Sequence, residues 1–156
     1  SGRRQDTFIG GLSMGGYGAL RNGMKYCDTF SHIISLSGAA HIFNETGGGL
    51  FNGLACFGDL KEAEKTDLNP RVGLMDAKAK NLVPKVYMSC GTEDGLLASN
   101  RELKTFFEQQ GADLTYVEAA GGHDWDFGNS QIHEALEWLP LEEESVGLSS
   151  GHVKKA

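Results

Sequence analysis

The chain has 156 residues, of which 40% are hydrophobic and 22% are charged, as in one soluble globular domain. Its apolar runs are far shorter than the roughly 20 residues that a transmembrane helix needs. Its net charge of −7 argues against the basic surface that binding to a nucleic acid requires. We therefore expect neither a membrane nor a nucleic acid as a partner.

Four short apolar segments predict β-strands, and polar or helical stretches separate them. The segments are Thr7–Leu12, His32–Leu36, Lys85–Cys90 and Leu114–Glu118. Strands that alternate with helices are typical of βαβ units, which form a parallel sheet. The first three segments are continuously apolar, and this predicts strands that are covered on both faces. The sequence thus predicts an α/β fold.

Three segments between and after these strands predict helices. They are Met14–Tyr26, Ser99–Gln110 and Ser130–Leu139. The second has apolar residues at helical spacing, and Ser99 with Glu102 has the pattern of a capping box. Gly111 follows it at the position where a helix often ends in a glycine. The third helix is predicted to stop before Pro140.

The first predicted helix contains Gly16, Gly18 and Gly23. Each glycine costs a helix about 1 kcal/mol relative to alanine. We therefore expect that close packing of the helix against the sheet requires a small residue at each position.

Residues 1–140 are predicted to form one unit, and two regions depart from its alternating pattern. Residues 41–70 are glycine-rich with scattered aromatic residues, which predicts a long excursion that serves as a lid or lines a pocket. A surface insertion without function is the alternative. Residues 141–156 contain few apolar side chains and are predicted to be a disordered tail.

The first predicted strand leads directly into a G-x-S-x-G motif, Gly11-Leu12-Ser13-Met14-Gly15. A serine on a sharp turn between a strand and a helix is held in a strained conformation, and flanking side chains would collide there. The turn exposes the Ser13 hydroxyl and directs the N-terminus of the helix towards it. A glycine-rich turn with an incidental serine is the alternative interpretation.

A serine hydroxyl becomes a nucleophile when a base removes its proton, and the base in turn needs an acid to orient it. In folds with this motif the acid and then the histidine follow on loops after later strands. Glu93 and Asp94 follow the third predicted strand, and His123 follows the fourth. The residues alone do not separate Glu93 from Asp94 as the acid.

The other histidines and nearby carboxylates have weaker claims to a role. His41 follows the second strand and is a candidate for contact with substrate, with a loop histidine of no role as the alternative. His32 opens a strand and is interpreted as a structural histidine. The remaining residues are interpreted as lying in a helix, in the tail or on a solvated loop; they are His133, His152, Asp124 and Asp126.

Several other site chemistries lack their sequence patterns. No phosphate-binding or dinucleotide-binding glycine motif and no H-E-x-x-H motif is present, so we expect no cofactor. The spacing of cysteines and histidines offers no set of metal ligands. The three cysteines, Cys27, Cys56 and Cys90, are an odd number at wide spacing, which favours a reducing, cytoplasmic location.

Four blocks of the sequence together resemble the esterase D-like branch of the α/β-hydrolases. That branch includes acetyl, tributyrin and feruloyl esterases of carbohydrate esterase family 1 and the S-formylglutathione hydrolases. The blocks are GGLSMGGYGAL at 10–20, SLSGA at 35–39, CGTEDGLL at 90–97 and GGHDWDFGNSQIHEALEWLPL at 121–141.

The resemblance implies an α/β-hydrolase-like parallel sheet with flanking helices and a serine esterase that needs no cofactor. It implies that Ser13 is the nucleophile, His123 the general base and acid, and Asp94 the acid that orients His123. It further implies an oxyanion contact from the backbone N–H of Met14 and a pocket wall at Trp125.

The resemblance covers only the later part of the family's domain. The N-terminal strands and the loop that supplies a second oxyanion donor have no counterpart, which leaves Thr7–Leu12 as an exposed edge. We expect completion by a missing N-terminal half or by self-association. The expected substrates are short acyl or aromatic acid esters, including esters linked to carbohydrate; a thioester hydrolase and a non-catalytic module are the alternatives.

Overall fold

The computed structural model describes residues 2–40, 42–43 and 57–141. Within them, four parallel strands form one sheet in the order β1-β2-β3-β4. The strands are β1 (Phe8–Leu12), β2 (His32–Leu36), β3 (Lys85–Gly91) and β4 (Leu114–Ala119). The predicted α/β fold with a parallel sheet is confirmed, and each strand is within one residue of its predicted bounds.

Helices connect the strands and follow the last one, and a short 3-10 turn at Arg4–Asp6 precedes β1. The helices are α1 (Met14–Lys25), α2 (Leu60–Ala63), α3 (Pro70–Ala79), α4 (Leu97–Gln109) and α5 (Trp125–Trp138). Helices α1, α3 and α4 are the crossover connections between neighbouring strands, and all three pairs of strands are parallel. The carboxyl ends of all four strands therefore lie at one edge of the sheet.

The sheet separates two hydrophobic clusters. On one face α1, α3 and α4 bury a large cluster that includes Leu20, Ile33 and Phe107. On the other face α5 packs through Ala135, and Leu139, which directly follows α5, joins the same cluster. Successive side chains of a strand point to opposite faces, so Ile33 belongs to the first cluster and Ile34 to the second.

Burial differs between the inner strands and β1. All of β2 is buried, and so is β3 except for its first residue. In β1 Gly10 is exposed and the other residues are partly exposed. The predicted cover on both faces is therefore partial: Ile9 packs on one cluster, and Phe8 and Leu12 pack on the other. The reason is that β1 is an edge strand: within the described residues it pairs with β2 alone.

Helix α4 starts two residues earlier than predicted, and its N-terminus lacks the predicted cap. Its N-cap residue is Leu96, which makes no side-chain capping bond. The Ser99 hydroxyl donates instead to the Leu96 carbonyl at 2.9 Å, so the predicted capping box is wrong. The prediction for the other end is confirmed, because Gly111 has a φ of +73° and its N–H bonds to the Glu108 carbonyl at 3.0 Å.

Helix α5 begins at Trp125, five residues before its predicted start. The Asp124 carboxylate caps it by accepting a hydrogen bond of 2.9 Å from the Phe127 N–H. Asp124 is therefore a helix cap and not simply a solvated loop carboxylate. Capping of this kind satisfies one of the N–H groups that a helix leaves unpaired at its start.

The glycines of α1 only partly follow the prediction. A Cβ atom on Gly23 would lie 2.4 Å from Ile33 Cγ1, and one on Gly16 would lie 2.9 Å from the Gly38 backbone. These two glycines allow α1 to pack closely on the sheet. A Cβ on Gly18 would meet no atom within 4 Å, so close packing does not explain Gly18.

Some predictions fall on residues that the structure does not describe. The proposed lid at 41–70 lies partly among them, since residues 41 and 44–56 are outside the described ranges. The predicted tail, apart from Leu141, and His152 are also outside them. Over the residues that are described, no helix combines the length and apolarity needed to span a bilayer.

Candidate active site

Ser13 occupies the turn between the end of β1 and the start of α1. Its backbone has a φ of 59° and a ψ of −117°, a region that residues other than glycine rarely adopt. A Cβ on Gly11 would lie 2.2 Å from the Gly15 carbonyl oxygen, so this turn requires a glycine there. A Cβ on Gly15 would meet no atom within 4 Å, so the predicted collision applies to one flank and not to both.

Backbone hydrogen bonds hold this turn against the loop that follows β2. The Ser13 N–H donates to the Leu36 carbonyl at 2.9 Å, and the Ser13 carbonyl accepts from the Ala39 N–H at 3.1 Å. The Tyr17 N–H donates to the same carbonyl at 3.1 Å as α1 begins. Because both backbone groups of Ser13 are bonded, its strained conformation is fixed by the surrounding structure.

Ser13, His123 and Asp94 come together at the carboxyl edge of the sheet. His123 Nε2 lies 2.8 Å from Ser13 Oγ, and His123 Nδ1 lies 2.8 Å from Asp94 Oδ2. The Asp94 side chain is 1% exposed, whereas that of His123 is 35% exposed. The second Asp94 oxygen, Oδ1, accepts a hydrogen bond of 2.8 Å from the Leu96 N–H.

Glu93, the other candidate acid, makes a different contact. Its carboxylate accepts a hydrogen bond from the Gly121 N–H, and its own N–H donates to the Gly121 carbonyl at 3.1 Å. The backbone bond from Gly121 holds the pKa of the Glu93 carboxyl below its usual value. The structure thus places Asp94 beside His123 and uses Glu93 to hold the loop that leads to His123.

Met14 is the first residue of α1 and directly follows Ser13. The first N–H groups of a helix have no intrahelical acceptor and carry the positive end of the helix dipole. The backbone N–H of Met14 is therefore positioned at a helix end that favours negative charge.

A cavity of about 210 Å³ opens beside Ser13 and His123, and Leu12, Asp124 and Trp125 complete its lining. Trp125 is 76% exposed, which is unusual for a large aromatic side chain. A second, apolar cavity of about 490 Å³ lies between β1 and α5 and shares Leu12 and Trp125 with the first. His41, the other predicted substrate contact, lies outside the described residues.

The remaining histidines that are described lie away from Ser13. The His32 ring is buried between Phe8 and Trp138, and its Nδ1 lies 2.8 Å from Ser31 Oγ. Burial lowers the pKa of His32, which is the behaviour of a structural histidine. His133 is exposed on α5, as predicted for a helical position.

Among the described residues, the cysteines and the acidic side chains give no sign of other site chemistry. Cys90 is buried at the end of β3, and burial raises the pKa of its thiol to about 12, so it is a poor nucleophile. Over the described part of the chain, no group of three or more histidine, cysteine or acidic side chains is arranged to hold a metal ion.

Two residues near this site have partners that the sequence does not reveal. The sequence presents Glu93 as a candidate acid and gives no indication of the contacts of Asn100. Neither has a local sequence signal, because their partners lie 28 and 62 positions away along the chain. Only the fold brings these partners together.

Comparison with known proteins identifies the family. The model of a family described as putative esterase matches residues 2–139. The chain belongs to this esterase family. It is 45% identical to an acetyl esterase of Caldicellulosiruptor saccharolyticus over 148 residues, which cover 88% of this chain and 55% of that esterase.

Solved structures agree with this assignment. The S-formylglutathione hydrolase of Staphylococcus aureus is 27% identical with a TM-score of 0.77, over 89% of this chain and 56% of that one. A ferulic acid esterase is 26% identical with a TM-score of 0.71, over 88% of this chain and 52% of that one. The α/β-hydrolase-like fold is therefore confirmed. This chain spans about half the length of these relatives.

Proposed function

We propose that this chain carries the reacting groups of a serine carboxylic ester hydrolase that acts through an acyl-enzyme. The observation that carries the proposal is the pair of 2.8 Å contacts that join Ser13 Oγ to His123 Nε2 and His123 Nδ1 to Asp94 Oδ2. Membership of the esterase family and the 45% identity to an acetyl esterase support the same reaction class.

In the first half of the reaction Ser13 Oγ attacks the acyl carbonyl carbon while its proton passes to His123 Nε2. The carbonyl electron pair moves onto the oxygen, and the Met14 N–H at the start of α1 stabilises this oxyanion. The intermediate then collapses, the bond to the alcohol oxygen breaks, and that oxygen takes the proton from His123 Nε2. The acyl group remains on Ser13 as an ester.

In the second half a water molecule replaces the alcohol. His123 Nε2 removes a proton from the water as its oxygen attacks the acyl carbon, and Ser13 Oγ recovers the proton when the bond to the acyl group breaks. The Asp94 carboxylate contacts Nδ1 throughout, so it orients the ring and stabilises its transient positive charge. The Leu96 N–H and the burial of Asp94 hold that carboxylate in place.

We propose short acyl or aromatic acid esters, including esters attached to a carbohydrate, as the substrate class. The small cavity beside Ser13 fits a compact acyl group, and the exposed Trp125 ring offers a flat apolar surface to it. The acetyl esterase and the ferulic acid esterase among the relatives support the two acyl types. The predicted contact from His41 remains part of this proposal.

A thioester hydrolase is the second candidate, and the S-formylglutathione hydrolase among the structural relatives favours it. The same three side chains serve both reactions, because the two reactions differ only in whether an oxygen or a sulfur atom leaves the acyl carbon. Turnover of an acetyl thioester and of an acetyl oxygen ester by the same preparation separates the two. The oxygen-ester proposal requires the higher kcat/KM on the oxygen ester.

We further propose that additional protein completes the sheet beside β1. The apolar cavity between β1 and α5 and the exposure of β1 support this, as does the coverage of only 55% of the acetyl esterase. A missing N-terminal half of a longer protein or a second copy are the two candidate sources. Each oxyanion donor contributes roughly 2.7–4 kcal/mol, so a second donor from that protein would raise the rate about 10²–10³-fold.

Hydrolysis of a short-chain aryl ester tests the proposed function. We expect turnover by the wild-type chain, its loss in Ser13→Ala and His123→Ala, and covalent labelling of Ser13 by a fluorophosphonate. His133→Ala is the matched control, because that histidine is exposed on α5 away from the cavity. A folded chain that neither turns over the ester nor takes the label would leave the non-catalytic module as the better description.

A further inference from the structure

Asn100 is a fully buried polar residue in the first turn of α4. Its side-chain amide Nδ2 donates two hydrogen bonds of 2.9 Å, one to the Gly38 carbonyl and one to the Leu96 carbonyl. Gly38 belongs to the loop that follows β2, and Leu96 is the N-cap residue of α4. One buried amide therefore joins two loops that meet at the carboxyl edge of the sheet.

The first of these loops holds the Ser13 turn. Gly38 lies between Leu36, whose carbonyl accepts the Ser13 N–H, and Ala39, whose N–H donates to the Ser13 carbonyl. Gly38 is also packed tightly, because a Cβ on it would lie 2.4 Å from Ser35 Oγ. A shift of this loop would therefore move the Ser13 backbone with it.

The second loop holds the Asp94 carboxylate. The Leu96 N–H donates to Asp94 Oδ1 at 2.8 Å, and the Leu97 N–H donates to the Asp94 carbonyl at 3.1 Å. The Leu96 carbonyl, in the peptide unit that follows, accepts hydrogen bonds from both the backbone N–H of Asn100 at 3.0 Å and its side-chain Nδ2 at 2.9 Å. Asn100 thus sets where this turn lies relative to the loop after β2.

These contacts form a closed circuit around the site. From Ser13 it passes through the loop after β2, through Asn100 to Leu96, on to Asp94, and back to Ser13 through His123. His123 can contact both Asp94 and Ser13 at 2.8 Å only when their separation is correct. Asn100 is the one bridge in this circuit formed by a buried side chain away from the reacting groups.

The Asn100 side-chain amide acts in these contacts through its Nδ2 donor and not through its Oδ1 acceptor. Among the described residues, Asn100 Oδ1 is buried without a hydrogen-bond partner. An apolar side chain at this position would remove a donor from the Gly38 and Leu96 carbonyls. The two donated bonds are therefore what the asparagine contributes here.

We propose that Asn100 is a positioning residue that holds the Ser13 turn and the Asp94 turn in register for the reaction. This proposal rests on the proposed ester hydrolysis for its kinetic consequence. It places no atom of Asn100 in contact with substrate. Its loss is therefore expected to lower kcat and to leave KM nearly unchanged.

Asn100→Ser isolates the bridge between the two loops. A serine hydroxyl on a helix commonly bonds the carbonyl four residues earlier, so this variant keeps a bond to Leu96 and loses the reach to Gly38. Asn100→Ala removes both bonds. Leu103→Ala is the control for general destabilisation, because Leu103 is buried one turn further along α4 and contacts the core instead of the loops.

We expect Asn100→Ser and Asn100→Ala to lower kcat for a short-chain aryl ester at least 10-fold with less than a threefold change in KM. Leu103→Ala should keep kcat within twofold at temperatures well below its unfolding midpoint. A kcat for Asn100→Ser within twofold of wild type would overturn the proposal. An equal loss in Leu103→Ala and Asn100→Ser would overturn it too, since destabilisation would then explain both.

A second readout does not depend on turnover. Ring-nitrogen NMR at pH 8.5, where an ordinary histidine is neutral, reports which nitrogen of His123 carries the proton. We expect the proton on Nδ1, facing Asp94, in the wild type and in Leu103→Ala, and a mixture of tautomers in Asn100→Ser. The proposed function fails if the wild type is inactive, whereas the positioning role fails if Asn100→Ser keeps the wild-type tautomer.

Discussion

Glu93 joins the loop that follows β3 to the loop that carries His123. Its carboxylate and its N–H both bond to Gly121, two residues before His123. A Cβ on Gly91 would lie 2.1 Å from the Gly121 carbonyl oxygen, so the two loops are also in close contact. The position of the His123 ring therefore depends on Glu93 as well as on Asp94.

Replacement of Glu93 should affect activity according to whether an acceptor remains. Glu93→Ala removes the acceptor for the Gly121 N–H, and we expect a fall in kcat of about 10-fold because small misplacements of catalytic groups are costly. Glu93→Gln keeps an acceptor oxygen and should stay within about threefold of wild type. Steady-state kinetics on one aryl ester check this, and equal losses in both variants would contradict it.

Local chemistry explains why sequence reasoning could not choose between Glu93 and Asp94. Both carboxylates lie in the same loop after β3. The choice depends on the turn in which Asp94 Oδ1 accepts the Leu96 N–H, which directs the remaining oxygen towards His123. That turn is a three-dimensional feature, whereas Ser13 was recognisable because its strained turn demands glycine at position 11.

At the scale of the element, Gly18 and Gly23 of α1 have different environments. We expect Gly18→Ala to raise the free energy of unfolding by about 1 kcal/mol, since alanine favours a helix and a Cβ there meets no atom within 4 Å. Gly23→Ala should lower it, because the Cβ would lie 2.4 Å from Ile33 Cγ1. Urea unfolding of both variants checks this, and a destabilised Gly18→Ala would contradict the expectation.

His32 makes the junction of β1, β2 and α5 sensitive to acid. Burial lowers the pKa of His32 in the folded chain, so the unfolded chain binds its proton more readily. Stability is therefore highest above the unfolded value of about 6.5, and it falls as the pH drops from that value to the lower pKa of His32 in the folded chain. His32→Phe keeps an aromatic ring between Phe8 and Trp138 and removes this titration.

Urea unfolding at pH 7 and pH 5 measures the effect of His32→Phe. We expect a smaller loss of stability between these two pH values in the variant than in the wild type. His133→Gln is the control, because it replaces an exposed histidine of α5 that lies outside the Phe8–His32–Trp138 contact. An identical pH dependence in His32→Phe and the wild type would rule out His32 as the source.

The strands could be predicted from sequence better than the start of α5. The apolar runs of β2 and β3 are buried on both faces and therefore have clear ends. The first turn of α5 contains Gly128 and Asn129, which are poor helix formers. The Asp124 cap and the packing of Phe127 against Gly121 override that weak propensity, and neither is visible in the periodicity.

At the scale of the whole molecule, the unusual surface is the groove between β1 and α5. A cavity of about 490 Å³ is lined by apolar side chains of both elements, and α5 exposes Trp125, Ile132 and Leu136 there. Exposed apolar patches of this kind are typical of binding surfaces, which agrees with the proposal that additional protein completes the sheet beside β1. The net charge of −7 opposes close association of two copies, whereas the apolar lining of this groove favours it.

Charged substitutions in the groove test whether it drives association. We expect the double variant Ile132→Lys with Leu136→Lys to bind less of an apolar dye and to sediment closer to monomer mass than the wild type, because both side chains face the groove. Met75→Lys is the matched control, since Met75 is 43% exposed on α3, away from the groove. Sedimentation velocity at several concentrations gives the masses. A wild type that is monomeric at every concentration would favour a missing N-terminal half over a second copy as the protein that covers β1.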